Sequence, residues 1–227
     1  MRLAPFYTLR DQEGLLLDRP QPLDLDSLLD GGPWEVELGY GKGKYLLRQA
    51  LAHPERRFLG VEVVSKYQKL LTKRARHWGA ENLLNVRGEA LYLLSAVLPS
   101  AFADRLHVYF PDPWPKARHH RRRLFDPETV DLVLGVLKPG GELCFATDFL
   151  DYGELVMEIL DGFPGLTVEP VLEPWPDGAR TNYEAKYMEE GRPILRCTAR
   201  LSRDGEAPLH PVGERGILSA WHRRDDS

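Results

Sequence analysis

From Trp34 to Thr147, short apolar runs alternate with helix-length segments, and this alternation leaves few folds open to the chain. The runs are 34–38, 58–63, 83–87, 105–110 and 142–147. Between them the sequence predicts a helix over 44–52, a second from an N-cap at Ser65 to about Trp78, and a short one over 90–97 closed by Pro99. Asp126-Pro127-Glu128 opens another, with Asp as cap and Pro at the first helical position, and Lys138-Pro139-Gly140-Gly141 stops it after Leu137. A helix over 152–160 and strands at 166–172 and 194–201 complete the pattern, with no helix expected between those two strands. Strand–helix alternation predicts a parallel sheet covered by helices on both faces. The first five strands read as apolar throughout, as strands buried on both sides do. The expected architecture is α/β: a mostly parallel seven-stranded sheet with an antiparallel edge strand. Residues 1–33 form an N-terminal segment, 34–201 the domain, and 202–227 a C-terminal extension that mixes Pro, Gly and charge.

Composition excludes some classes. With 227 residues, 43% hydrophobic and 28% charged, the chain can bury a real core. It has no apolar stretch long enough to span a bilayer, and its N-terminus leads into polar residues, not a signal-peptide apolar region. Cys144 and Cys197 sit in strand-like runs without metal-ligand spacing and read as reduced core residues, which suggests a cytoplasmic protein. A net charge of −4 speaks against a general nucleic-acid binder. The charge is uneven, however: Lys116, Arg118, Arg121, Arg122 and Arg123 cluster around His119 and His120. A second group, Lys66, Lys69, Lys73, Arg74 and Arg76, reads as a solvated helix face. The two histidines have too little company for a metal site and belong to the basic surface.

Ligands of open α/β sheets bind at the carboxyl ends of the strands. The first predicted strand ends in Glu37-Leu38-Gly39-Tyr40-Gly41-Lys42-Gly43. Glycines there allow a tight turn and close approach of a ligand. The spacing is G-x-G-x-G, which differs from the dinucleotide fingerprint, and Glu37 suits a cofactor with ammonium and sulfonium groups better than a pyrophosphate. Glu62 ends the second strand, the place for a carboxylate on ribose hydroxyls. Glu89 follows the third, where it could accept from an adenine amino group or cap the next helix. Asp112 and Asp148 follow the fourth and fifth. Five acids at strand ends suit a cationic cofactor and a ligand rich in N–H donors.

The fourth strand runs into Tyr109-Phe110-Pro111-Asp112-Pro113-Trp114-Pro115-Lys116, a loop stiffened by three prolines and followed by the basic run. Trp114 could stack on a splayed base or plug the sheet end. Thr181-Asn182-Tyr183-Glu184 lies in a polar segment before the last strand and could equally start a helix, since Thr181 and Glu184 stand at capping-box spacing.

On these residues the chain resembles the bacterial tRNA (guanine-N7-)-methyltransferase family. The matching motifs are the glycine turn 37–43, Gly60-Val61-Glu62, the stretch 110–116 with Arg118-His119 and Arg121-Arg122-Arg123, Ala146-Thr147-Asp148, and 181–184 with Gly191. The resemblance implies a Rossmann-like class I fold dependent on S-adenosylmethionine, and methyl transfer to N7 of a guanine in tRNA, at position 46 of the variable loop. It assigns the cofactor to Glu37, Gly39, Gly41, Gly43, Glu62, Glu89 and Asp112, the substrate to Lys116, Asp148, Thr181, Asn182, Tyr183 and Glu184, and tRNA to Arg118, His119, His120, Arg121, Arg122 and Arg123. Asp112 is the catalytic candidate, with Asp148 and Glu184 for the guanine edge. No metal and no membrane is expected, and tRNA is the expected partner of a monomer or homodimer. Glu89 stands where the family often has Asp, and Pro115 where it often has His. A nicotinamide oxidoreductase would share the first unit but not the acids. A methyltransferase for small molecules would lack the arginine run, and a non-enzymatic RNA-binding protein would lose the acids.

Overall fold

Eight strands join in one sheet in the order β1-β4-β3-β2-β5-β6-β8-β7. The structure is a computed structural model that describes residues 6–8, 25–29, 31–127 and 129–202. The strands are β1 (Phe6–Thr8), β2 (Trp34–Leu38), β3 (Arg57–Glu62), β4 (Leu83–Arg87), β5 (Ala103–Tyr109), β6 (Leu137–Thr147), β7 (Leu166–Pro170) and β8 (Leu195–Leu201). The helices are α1 (Leu25–Leu28), α2 (Lys44–Ala52), α3 (Ser65–Trp78), α4 (Ala90–Ala96), α5 (Val130–Leu134), α6 (Leu150–Asp161) and α7 (Asn182–Glu189), with a 3₁₀ turn over Ala117–Arg122. Strands β1 to β6 pair in parallel, and β8 runs antiparallel to both β6 and β7.

The seven expected strands are present, and β1 is an eighth. It pairs with β4 through Phe6↔Asn85 to Thr8↔Arg87 and is too short to show a period of its own. Three local expectations are corrected. A helix, α7, does separate β7 from β8. The cap of α3 is Val64, whose backbone is still extended (φ −80°, ψ 109°), while Ser65 is already helical; the Glu62 carboxylate takes the Val64 N–H at 2.8 Å. Asp126 caps a turn, accepting from Thr129 N–H at 3.0 Å, so α5 starts only at Val130. That helix also ends at Leu134, not Leu137: Leu137 already pairs with Ala103, and Lys138 to Gly141 are part of β6.

Val36, Leu59, Val86, Leu106, Val108, Leu143 and Phe145 fill the centre of the core, each with at most 1% exposure. Burying a side chain of this size stabilises by about 2 kcal/mol. Gly60 is fixed by packing: a Cβ there would lie 2.5 Å from Leu46 Cδ2 and 2.7 Å from Tyr40 Cδ1. The middle of the sheet is not apolar throughout, which corrects the sequence reading. Glu35 on β2 is buried between Arg56, which donates to one of its oxygens, and His107 on β5, 2.9 Å from the other. His107 Nδ1 lies 2.9 Å from Tyr109 Oη, and the Arg180 guanidinium donates to that same oxygen. Burial alone would raise the Glu35 carboxyl, but His107 and Arg56 hold it well below the usual carboxylate range. Burial opposes a charge on His107 too, yet its bonds to Cys144 and Glu35 raise its pKa. This ionic chain crosses the core beneath the candidate site and ends on it.

A candidate active site at the carboxyl rim of the sheet

Strands β4, β3, β2, β5 and β6 are consecutive neighbours and parallel. Glu89, Glu62, Glu37, Asp112 and Asp148 therefore follow or end adjacent strands along one rim.

The turn after β2 is built by left-handed glycines, with φ of 75° at Gly39, 54° at Gly41 and 67° at Gly43. Glu62 closes the turn from the next strand, accepting from the Gly41 N–H at 2.9 Å. A Cβ placed on Gly39 or Gly41 would meet nothing within 4 Å, so the backbone there faces open space. Below the turn, Glu37 is 2% exposed and its Oε2 has no hydrogen-bond partner. Burial, aided by the charge of Glu62 and resisted by His107 and a Leu46 backbone bond, raises its pKa to about 7. A buried acceptor without a donor is costly. A ligand that brings a cationic donor over an open glycine turn completes this arrangement, so the residues fit an S-adenosylmethionine-type group. Glu89 caps α4, accepting from the Tyr92 N–H at 2.8 Å.

The loop after β5 holds unusual backbone. Phe110 and Trp114 have φ of 53° and 42°, a region that bulky side chains rarely adopt. Strain of this kind concentrates at ligand sites, where surrounding contacts impose it. One such contact is Phe110 N–H to the Ala146 carbonyl at 2.7 Å. Another is Arg123, which donates to the Pro113 carbonyl at 2.8 Å and lies over the Tyr152 ring at 4.8 Å. Arg123 is only 7% exposed, which corrects its expected place on the RNA-facing surface: it braces the loop from within. Asp112 is exposed, as are Lys116, Arg118 and His120. Trp114 is half-buried. It meets the edge of His119 and carries the Arg122 guanidinium at 5.1 Å, so it stands among the basic groups and does not plug the core. The side chain of Arg121 lies outside the described residues, as do residues 203–227 of the expected extension.

The segment 171–194 reaches α2 through Asp177 and Arg48, β5 through Arg180 and Tyr109, and the end of β6 through Arg192 and Asp148. The Thr181 hydroxyl caps α7 by accepting from the Glu184 N–H at 2.9 Å. Glu184 has 0% exposure; its oxygens take the Arg196 guanidinium at 2.7 Å and the Arg180 N–H at 2.8 Å. With no surface exposed, Glu184 does not offer the edge expected for a guanine; it latches the loop to β8 instead. Asn182 and Tyr183 remain exposed, and Tyr183, Tyr187 and Phe110 form an aromatic group with centroid separations of 5.7 to 6.4 Å. Asp148 is half-buried and accepts from Arg192 at 2.6 Å.

Sequence reasoning missed Glu35, His107, Arg180 and Arg192. Arg180 lies 4.0 Å from the Trp175 ring centroid, near the rings of Tyr45 and Tyr109, and donates to Asp177 at 3.0 Å. Its place next to Thr181 was the one available signal. No helix of the described residues is long and apolar enough to cross a membrane, and no group of metal-ligating residues was found among them.

Comparison with known proteins agrees with this geometry. A family model described as "Putative methyltransferase" matches residues 32–197. Among solved structures, the 16S rRNA methyltransferase KamB superposes with a TM-score of 0.58 at 15% identity, covering 80% of this chain and 95% of its own. A 16S rRNA (adenine(1408)-N(1))-methyltransferase from Catenulisporales acidiphilia, crystallised with its cosubstrate SAM, gives 0.53 at 20% identity, covering 78% and 88%. At such identities the likeness is one of fold: the class I methyltransferase fold. Sequence relatives are nearer. A tRNA (guanine-N(7)-)-methyltransferase of Roseobacter denitrificans is 40% identical over 176 residues, 76% of this chain and 75% of that protein. One from Nitrosococcus oceani is 40% identical over 177 residues, 76% and 74%. Fold, rim and relatives converge, and the chain belongs to the tRNA (guanine-N(7)-)-methyltransferase family.

Proposed function

We propose that this protein methylates N7 of a guanine in tRNA, at position 46 of the variable loop, using S-adenosylmethionine. The supporting observation is the orphaned Glu37 oxygen under an open glycine turn, one strand away from the strained loop that presents Asp112. The cofactor supplies an electrophilic methyl group on a sulfonium. Glu37 and the backbone of Gly39 and Gly41 would hold its amino-acid portion, and Glu62 its ribose. Guanine N7 carries a lone pair and no proton, so no residue needs to act as a base. The chain contributes position and charge. Asp112, exposed at the centre of the rim, holds the base and stabilises the positive charge that develops on the purine. Asn182 and Tyr183 supply further contacts on the other side. Lys116, Arg118, His120 and Arg122 take phosphates, as a looped RNA requires a charged track beside its pocket.

The test is incubation of the full chain with unmodified tRNA and methyl-labelled S-adenosylmethionine, followed by mapping. The expected label sits on a guanine ring that becomes cleavable by reduction and aniline, the signature of N7 methylation. Label on another atom, or tight tRNA binding without transfer, would refute the assignment.

A further inference from the structure

A groove of about 750 Å³ leaves the rim and runs between α2 and α3. Its walls carry Lys42 from the glycine turn, Lys44 and Arg48 from α2, Arg74 and Trp78 from α3, and Asn182 from the start of α7. The sequence read Arg74 as part of a solvated helix face. The structure turns it toward the glycine turn, where it donates to the Lys42 carbonyl at 3.1 Å. Arg48 is neutralised by Asp177. Lys42, Lys44 and Arg74 form no ion pair with any acid of the described residues. Trp78 is 63% exposed and Leu51, another lining residue, 44%. A large aromatic face left in water beside three cations that no acid of the described residues pairs is the combination that single-stranded nucleic acid uses: charge for the backbone, a ring for a base. Asn182 makes the groove continuous with the proposed guanine site. The sheet order puts the basic 3₁₀ turn, which follows β5, on one side of β2 and the helix between β3 and β4 on the other.

We propose that this groove holds the tRNA strand flanking the target guanine, with phosphates on Lys42, Lys44 and Arg74 and one base against Trp78. The proposal rests on the tRNA reading above and adds a second RNA-binding flank to it. The target nucleotide is then held between two basic surfaces, and pulling from both sides helps present the base to the rim.

The test uses the full chain and unmodified tRNA, with binding measured across a range of salt concentrations. The variants are Lys44→Ala/Arg74→Ala, Trp78→Ala and Trp78→Tyr, and their affinity for S-adenosylmethionine checks that the turn is intact. Loss of two contacts to single-stranded phosphate should flatten the slope of log K against log salt by about 1.4. Trp78→Ala should weaken tRNA binding about tenfold at an unchanged slope, and Trp78→Tyr should restore most of it. If the wild type methylates tRNA but the double variant keeps its full slope, the groove assignment falls and the function stands. A wild type that neither binds nor methylates tRNA removes both. A concentration-dependent dimer abolished by Trp78→Ala would overturn the RNA assignment in favour of an interface between two copies.

Discussion

Replacing Glu37 by Gln tests the centre of the argument, because it removes one charge and almost no volume. The wild-type carboxyl titrates at about 7 in the fold, against an ordinary 4.5, chiefly because it is buried. That gap is worth about 3 kcal/mol at 1.36 kcal/mol per pH unit. The sign follows from the direction. A pKa raised by folding gives stability that is fully present below pH 4.5 and lost as pH rises through about 7. Between pH 5 and pH 8 the wild type should therefore lose up to about 3 kcal/mol relative to Glu37→Gln, which has no such titration. Urea denaturation of both proteins at several pH values reads this difference. Calorimetry with S-adenosylmethionine reads its counterpart. A cationic ligand favours the ionised carboxyl, so binding should release a proton and tighten with pH up to about 7, then level off. The variant should bind weakly, with a flat pH profile. Parallel stability curves for the two proteins, and no buffer-dependent binding enthalpy in the wild type, would refute the reasoning.

Other consequences are simpler to test. Asp112→Ala and Asp112→Asn should each lower kcat about hundredfold or more while S-adenosylmethionine affinity falls only modestly, and near-normal turnover in both would remove Asp112 from catalysis. Arg123→Ala should lower the melting temperature, whereas Arg118→Ala and Arg122→Ala should leave it in place and flatten the salt dependence of tRNA binding; equal melting points would deny Arg123 its bracing role. Gly60→Ala should destabilise by about 1–3 kcal/mol, since the new methyl must displace Tyr40 and Leu46, and an unchanged denaturation midpoint would mean that this packing yields freely.

Periodic elements were legible in the sequence. The helix read over 44–52 is α2, Lys44–Ala52, and the strand read over 83–87 is β4, Leu83–Arg87. Elements without a period were not. Strand β1 has three residues, and its backbone partner lies in β4, far along the chain. Helix α7 hid in a polar segment, where capping-box spacing at Thr181 and Glu184 was its only mark. Residue type announced the rim acids but not their states. Glu35 and Glu37 stand two apart in one strand. One is ionised between partners 21 and 72 residues away, and the other is left alone beneath the turn. Nor can a run of arginines tell which member folds inward; Arg123 differs from its neighbours only through Tyr152 and Pro113.

The reversed direction of β8 has a consequence for how this scaffold can change. Because β7 points up to the rim and β8 descends from it, the chain between them departs and returns on the same side of the sheet. Arg196, early in β8, holds Glu184, while the backbone N–H of Val171 bonds the Arg196 carbonyl at 2.9 Å. Residues 171–194 are thus clipped to β8, and side chains tie them further to β5, where Arg180 donates to Tyr109, and to α2, where Arg48 pairs with Asp177. A lineage could lengthen or exchange the stretches between these anchors, and with them the contacts offered at the rim, while the paired strands keep their register.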